Sequence, residues 1–335
     1  MAFGVRQFNC RFHKGANGEN KLTCSFWPDI KRKLRLPTPK GGDFQGETET
    51  MNPRTVVGVD LGGTNVRAGL VREDKLEKAL SRRINAQGTQ RGVFEEIATI
   101  IDPLLGPEVA GIGVGVPSVV DIKKGIVYDT VNIPSWTEVP VKDWLEERFQ
   151  VPVRVNNDAN CFVLGEKHFG KARGLENVVG MVVGTGLGAG IIMNGQLCCG
   201  SHCGAGEFGV MRFRDGIVEN YASGQFFRRC HQTSGEELAE KAQAGDPEAR
   251  RIFREFGTIL GEAIQIVMYA VDPEMIVLGG SVSKSFEFYQ ESLRDSLRDF
   301  IYTRSARDLR IEVSELEQSA ILGAAALCLE EVPGA

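Results

Sequence analysis

Three short glycine turns dominate the chemistry available to this 335-residue chain. The first, "DLGGTN", runs from Asp60 through Gly62, Gly63 and Thr64 to Asn65; the second, "GTGLG", holds Gly184, Thr185 and Gly186; the third, "LGGS", holds Gly280. Each follows an apolar, β-rich run. Such a turn presents backbone N–H groups with no side chain in the way, which is what a phosphate group requires. Thr64 and Thr185 add hydroxyl donors, and Asp60 offers a hard oxygen ligand to Mg2+, directly or through water. One glycine turn after a strand is usually structural, but three in this order point to a bound nucleotide. None contains the lysine of the G-x-x-x-x-G-K-[ST] loop, and none fits G-x-G-x-x-G at the head of a strand-to-helix crossover. One glycine hairpin opens each half of the chain, an arrangement suited to clamping a nucleotide between two domains.

Two other stretches carry reactive side chains. In "VRVNNDAN", Asn156, Asn157 and Asp158 stand where a strand runs into a helix that starts just after Asp158. Asp158 is then either the helix N-cap or a general base that takes a proton from a hydroxyl attacking a phosphoryl group, with the adjacent amide positioning the same polyol. In "CCGSHCGAGEFGV", residues 198–210, Cys198, His202 and Cys203 are chemically suited to zinc. Their spacing forms no C-x2-C pair with a matching partner downstream, and a small thiol in a turn is usually inert. Neither zinc nor a disulfide is expected. His13, His168 and His231 show no clear chemical partners.

These residues need a scaffold, and the chain from Thr55 onward alternates apolar β-rich runs with amphipathic helical stretches, the pattern of an α/β protein. "TVVGVDLGG" and "NVRAGLV" read as a hairpin, "RGVFEEIATIIDPLL" and "VKDWLEERF" as helices, and "AGIGVGVPSVVD" and "VPVRVNND" as strands. "NVVGMVVGTGLGAGIIMNGQ" repeats the opening strand–turn–strand pattern, so the two halves look related. Downstream, Ser234 and Glu237 suit a capping box, and Asp246 with Pro247 suits the start of a long helix. A strand, "PEMIVLGGSV", and a last helix, "SAILGAAALCLEE", complete the series. Residues 1–50 lack apolar periodicity, carry the basic run "IKRKLRLPTPK", and read as an N-terminal extension, with the natural start expected at Met51.

Composition narrows the class. The formal net charge of −5 gives no basic footprint for nucleic acid or an anionic membrane. No apolar run approaches the roughly 20 residues that span a bilayer. Eight scattered cysteines and the lack of a secretory segment favour a reducing, cytoplasmic setting.

Taken in order and spacing, "VGVDLGGTNVRAGLV", "VNNDAN", "VVGTGLGAGIIMNGQL", "CGAGEFG", "ENYASG" and "VDPEMIVLGGSV" resemble the ROK family of sugar kinases and sugar-responsive repressors, over about residues 54–330. The resemblance implies an actin-like, ribonuclease H-like fold of two α/β domains, residues 51–167 with 316–335 and residues 168–315, with ATP and a sugar in the cleft between them. It implies that Asp158 is the base, that Asn157 and Asn132 touch the sugar, and that Glu207 and Glu219 accept hydrogen bonds from its other hydroxyls. It sets Gly62, Gly63, Gly184 and Gly186 against the ATP phosphates and Gly280 near the adenosine. A dimer or tetramer is implied as well. Family members commonly carry a histidine directly after the "GExG" glycine and then a zinc-binding cysteine cluster; here Val210 takes the histidine's place and residues 211–221 contain no cysteine. His202, Gln225 and Arg212 are candidates to supply the missing contact. The expected activity is ATP-dependent phosphorylation of a hexose, glucose first, with N-acetylmannosamine, fructose, mannose or allose as alternatives. A non-catalytic, sugar-sensing repressor is the alternative class, but residues 1–50 are too short for its winged helix–turn–helix domain.

Overall fold

The computed structural model describes residues 11–14, 20–23, 55–130 and 132–330. Met1–Thr50 and Met51–Ala335 form separate compact units. In the first, β1 (Arg11–Lys14) and β2 (Asn20–Thr23) form an antiparallel ladder. The basic run and the expected start at Met51 lie outside the described residues.

The second unit opens with β3 (Thr55–Leu61), β4 (Asn65–Arg72) and β5 (Lys75–Arg83), followed by α1 (Gln90–Ile101) and β6 (Val109–Val116). A small sheet of β7 (Val119–Asp121), β8 (Ile126–Tyr128) and β9 (Glu138–Pro140) precedes α2 (Val141–Phe149), β10 (Val153–Asn157) and α3 (Asp158–Phe169). Then come β11 (Val178–Val183), β12 (Leu187–Met193), β13 (Gln196–Leu197), the hairpin β14 (Arg212–Phe213) and β15 (Gly216–Ile217), and helices α4 (Val218–Tyr221), α5 (Gly224–His231), α6 (Gly235–Gln243) and α7 (Pro247–Val271). The chain ends with β16 (Met275–Gly279), α8 (Phe286–Ser296), α9 (Thr303–Asp308), β17 (Arg310–Val313) and α10 (Ser319–Ala326).

Two five-stranded sheets have one topology. Their orders are β10-β6-β3-β4-β5 and, reading the second from the other edge, β17-β16-β11-β12-β13. In each, an antiparallel meander is joined by two parallel strands. The repeat seen in the glycine hairpins therefore extends to whole halves. Between the sheets lie α3 and α10, which approach so closely that a Cβ at Gly165 would stand 3.2 Å from the backbone of Gly323. Pairs of glycines let two helix backbones meet in this way. Glu166, fully buried on α3, accepts from Lys171 N at 2.9 Å and from the Ser314 hydroxyl, tying α3 to the segment that leads into α10.

The helix starts follow their capping chemistry, with two adjustments. Asp246 accepts from Ala249 N at 2.8 Å, and Pro247 opens α7 as its fixed φ allows. Ser234 accepts from Glu237 N at 3.1 Å, but the Glu237 carboxylate serves Thr233 and Lys241, so half of the anticipated capping box forms. At α3 the helix begins at Asp158 itself: Asn157 is the N-cap, accepting from Ala159 N at 2.9 Å. Among the described residues no helix is long and apolar enough to cross a membrane.

Candidate active site

The first glycine turn joins β3 to β4. Gly62 N donates to Asn65 O at 2.9 Å, and the Asn132 side chain packs on Gly63 so tightly that a Cβ there would lie 2.7 Å from Asn132 Cγ. Thr64 and Asn65 are exposed at the tip. Asp60, the last polar residue of β3, is paired: its Oδ2 accepts from Arg67 Nε at 2.9 Å and Nη2 at 2.6 Å. Arg67 stands directly opposite Asp60 in the ladder, a partner that a scan for acidic and amide side chains passes over.

The second turn joins β11 to β12 and is one residue tighter. Gly184 N donates to Gly186 O at 2.9 Å, and Gly224 N donates to Gly184 O at 2.8 Å. Here the carboxylate comes from another element. Glu219, on α4, packs against Gly186; its Oε2 accepts from Leu187 N at 2.9 Å and its Oε1 from Gln225 Nε2 at 2.6 Å. Of the three candidates for the missing histidine, Gln225 is thus the one that reaches a predicted sugar residue, whereas His202 and Arg212 are exposed. Thr185 is exposed, and with Gly184 it borders a cavity of about 260 Å3 whose other walls include Phe227, Val282, Arg228 and Lys284. At the third turn Gly280 has φ +87° and sits against the carbonyl of Val183, so the turn after β16 abuts the end of β11.

Asp158 stands between these turns. It is partly buried at the first position of α3, and its Oδ1 accepts from Ala159 N at 2.9 Å. Burial, then the charge of Asp60 and the smaller influence of Glu207, push its carboxyl up to about 6 against the pull of backbone N–H groups. Asp60 comes from the first sheet, and Glu207 from the loop that follows the meander of the second. Asp158 therefore feels carboxylates carried by both halves of the fold. Glu207 is exposed, makes no hydrogen bond through its carboxylate to any described residue, and is itself raised by burial and by Glu219. Asn157 spends its Oδ1 on the cap, and its Nδ2 donates to Ser118 O at 3.4 Å.

The cysteines turn toward amides. Cys199 Sγ lies 3.5 Å from Asn156 Nδ2, Cys203 Sγ lies 3.5 Å from Asn156 Oδ1, and both approach Asn160 Nδ2 at 3.7 Å. Asn156 Oδ1 in turn accepts from Asn157 N at 2.8 Å and from Asn160 Nδ2 at 2.9 Å. The thiols thus back the end of β10, and burial pushes Cys199 up to about 11. Among the described residues no group of three or more His, Cys, Asp or Glu side chains is arranged to hold a metal ion. His168 does have a partner, contrary to the sequence reading: its Nε2 lies 2.6 Å from Glu330 Oε1. His231 lies 3.7 Å from Glu255. A separate cavity of about 640 Å3 lies behind Asn156 and Cys199, and none of the residues expected at the nucleotide or sugar lines it.

Mg2+ holds few protein ligands when it travels with a triphosphate, usually one or two carboxylates and several waters. Asp60 fits that sparse role through Oδ1, since Arg67 occupies Oδ2.

The sequence profile of the ROK family matches residues 56–331. A glucokinase of Thermotoga maritima is 31% identical over 312 residues, 83% of this chain and 98% of that protein. An N-acetyl-D-glucosamine kinase of Pectobacterium carotovorum is 31% identical over 265 residues, 70% of this chain and 86% of that protein. A ROK glucokinase of Streptomyces griseus, solved with glucose and AMPPNP, superposes with a TM-score of 0.70 at 29% identity, covering 82% of this chain and 98% of its own. With its paired five-stranded sheets, three glycine turns and a carboxylate between them, the chain has the actin-like ATPase fold and belongs to the ROK family.

Proposed function

We propose that this protein transfers the γ-phosphoryl group of ATP to a hydroxyl of a hexose, glucose first, with Asp158 as the general base. The enzyme class is ATP-dependent sugar kinase, and the identity of the sugar is the open part of the reading. The observation that carries the chemistry is the position and acidity of Asp158. A carboxyl near 6 is mostly ionised at neutral pH yet basic enough to take a proton as the hydroxyl attacks. Nothing else in the first turn of α3 could do this.

Each remaining residue has a distinct task. Gly62, Gly63, Gly184 and Gly186 offer backbone approach to the phosphates, and the cavity beside Thr185 takes the nucleoside, with Gly280 at its border. Mg2+, when bound with ATP, neutralises charge developing on the phosphates. Glu207 has both oxygens open to sugar hydroxyls, while Glu219 is fixed by Leu187 N and Gln225 and accepts through its remaining lone pairs. Asn157 contributes its N–H donors rather than its oxygen, and Asn132 stands where the sugar and the first turn meet. An analogue lacking a hydroxyl would leave one of these groups unpaired, which makes the set selective. The division into lobes of residues 51–167 with 316–335 and 168–315, assembly as a dimer or tetramer, and a reducing cytoplasmic setting belong to the same proposal.

The test is ADP release over a panel of hexoses and N-acetylhexosamines, with and without a chelator that removes zinc and spares Mg2+. Turnover of glucose indifferent to the chelator is expected. Preference for an N-acetylhexosamine would replace the sugar and keep the chemistry, whereas sequence-specific DNA binding without turnover would replace the class.

A further inference from the structure

We propose that Arg214 is a positioning residue for the sugar: its side chain closes the hairpin between Glu207 and Glu219 and so fixes how these two carboxylates stand relative to each other. The inference rests on the reading that both carboxylates bind sugar.

Residues 208–218 separate the two glutamates, and their path is short and fully specified. A single 3-10 turn, Phe208–Val210, follows Glu207 directly. β14 and β15 then pair Arg212 with Ile217 and Phe213 with Gly216, Val218 N donates to Met211 O at 2.9 Å, and α4 carries Glu219 from there. The register of this ladder therefore sets the offset between the carboxylates. A two-stranded ladder this short is marginal by itself.

Side chains at its tip supply what the ladder lacks. Arg214 Cζ lies 5.2 Å from the Phe213 ring centroid and 5.5 Å from that of Tyr221, and those two rings meet edge-on at 5.9 Å. Its Nη2 donates to Glu262 Oε2 on α7 at 2.8 Å, and the Tyr221 hydroxyl donates to Asp215 Oδ1. One guanidinium thus joins the hairpin tip to α4, which bears Glu219, and to the long helix beneath. An arginine fork suits this double role, stacking on aromatic faces while pairing with a carboxylate in its plane.

The backbone supplies an independent sign. Arg214 has φ +54°, in the left-handed region that glycine adopts freely and other residues avoid. A turn position where glycine would be relaxed is occupied instead by the side chain that reaches Phe213, Tyr221 and Glu262.

Arg214→Gly separates positioning from folding, because it removes the clasp while relieving the turn. The thermal midpoint should hold or rise. The KM for the sugar should increase about tenfold, because Glu207 must then be set on binding against a Glu219 that Leu187 N and Gln225 already hold, with kcat and the KM for ATP changing by less than about twofold. Arg214→Lys should recover part of the loss, since an ammonium keeps the Glu262 pair and some attraction to the rings but not the planar stacking. Glu207→Gln and Glu219→Gln provide the reference, each raising the sugar KM. If those two do so and Arg214→Gly does not, the clasp is overturned and the kinase reading stands. If neither glutamate variant changes the sugar KM, the carboxylate assignment and the clasp fall together. A lower thermal midpoint with equal losses in kcat and in both KM values would show general loosening and overturn the proposal as well.

Discussion

The two glycine hairpins share a strand–turn–strand plan and differ by one residue in the turn and in what is done with the nearest carboxylate. At β3–β4 the tip, Thr64 and Asn65, is open while Asn132 packs on Gly63, and Asp60 is matched by Arg67 across the ladder, so this hairpin carries a balanced pair of its own. At β11–β12 the turn is covered: Glu219 reaches in from α4, seats itself on Gly186 and takes the N–H of Leu187. One copy of the motif balances its carboxylate within the hairpin, and the other lends a backbone N–H to a carboxylate from a separate helix. On the proposed reading, a duplicated fold serves two substrates by varying what leans on its turns.

Breaking the carboxylate between the two hairpins should have the largest effect. Asp158→Asn should lower kcat by roughly 10²- to 10⁴-fold while leaving sugar affinity, measured by calorimetry, nearly intact. The same substitution should stabilise the fold. A carboxyl raised from 3.8 to about 6 by folding costs the native state its ionised form. Wild-type stability therefore falls as pH rises from about 4 through 6, and above that window the variant should be more stable by roughly 2–3 kcal/mol, an upper value for one group. The gain should vanish toward pH 4, as paired thermal melts would show.

Next in size is the covered turn. Gly186→Ala places a Cβ within 3.1 Å of Glu219 Cδ, and Glu219 is pinned at both oxygens, so the sugar KM should rise about tenfold, roughly one broken charged hydrogen bond. At the open turn, Gly63→Ala meets Asn132 instead and should disturb ATP as well as sugar kinetics. Smaller again, Gln225→Leu leaves Glu219 Oε1 and Asn220 Nδ2 without their partner, and a sugar KM about five times higher is expected with kcat retained. The last effect is read in pH rather than in rate: besides weakening Mg2+ binding, Asp60→Asn removes the main charge opposing ionisation of Asp158, so the acid limb of the pH–rate profile should move to lower pH.

Much of this was legible in the sequence because glycine turns and buried strands are local signals. The hairpins β3–β4 and β11–β12, the long α7 with its Asp246 cap, and the strand-to-helix junction at Asp158 all follow from short stretches. What escaped depends on distant partners. β5, "KLEKALSRR", is exposed almost throughout and shows no alternation to read, since an edge strand here needs only its neighbour β4. Arg67 and Gln225 take their meaning from Asp60 and Glu219, which only the fold brings to them. The exchange at Asn157 and Asp158 shows a subtler limit: either residue makes a good N-cap, and the choice of Asn157 is what frees the aspartate for chemistry.

The most direct test of the account is the pH dependence of kcat/KM for the sugar, at low ATP and with Mg2+ in excess, in the wild type and in Asp158→Asn. The profile of the wild type should fall with unit slope below about pH 6 as the carboxylate takes up its proton, and the residual activity of the variant should lack that limb. A limb that persists unchanged in Asp158→Asn would assign the base to another residue.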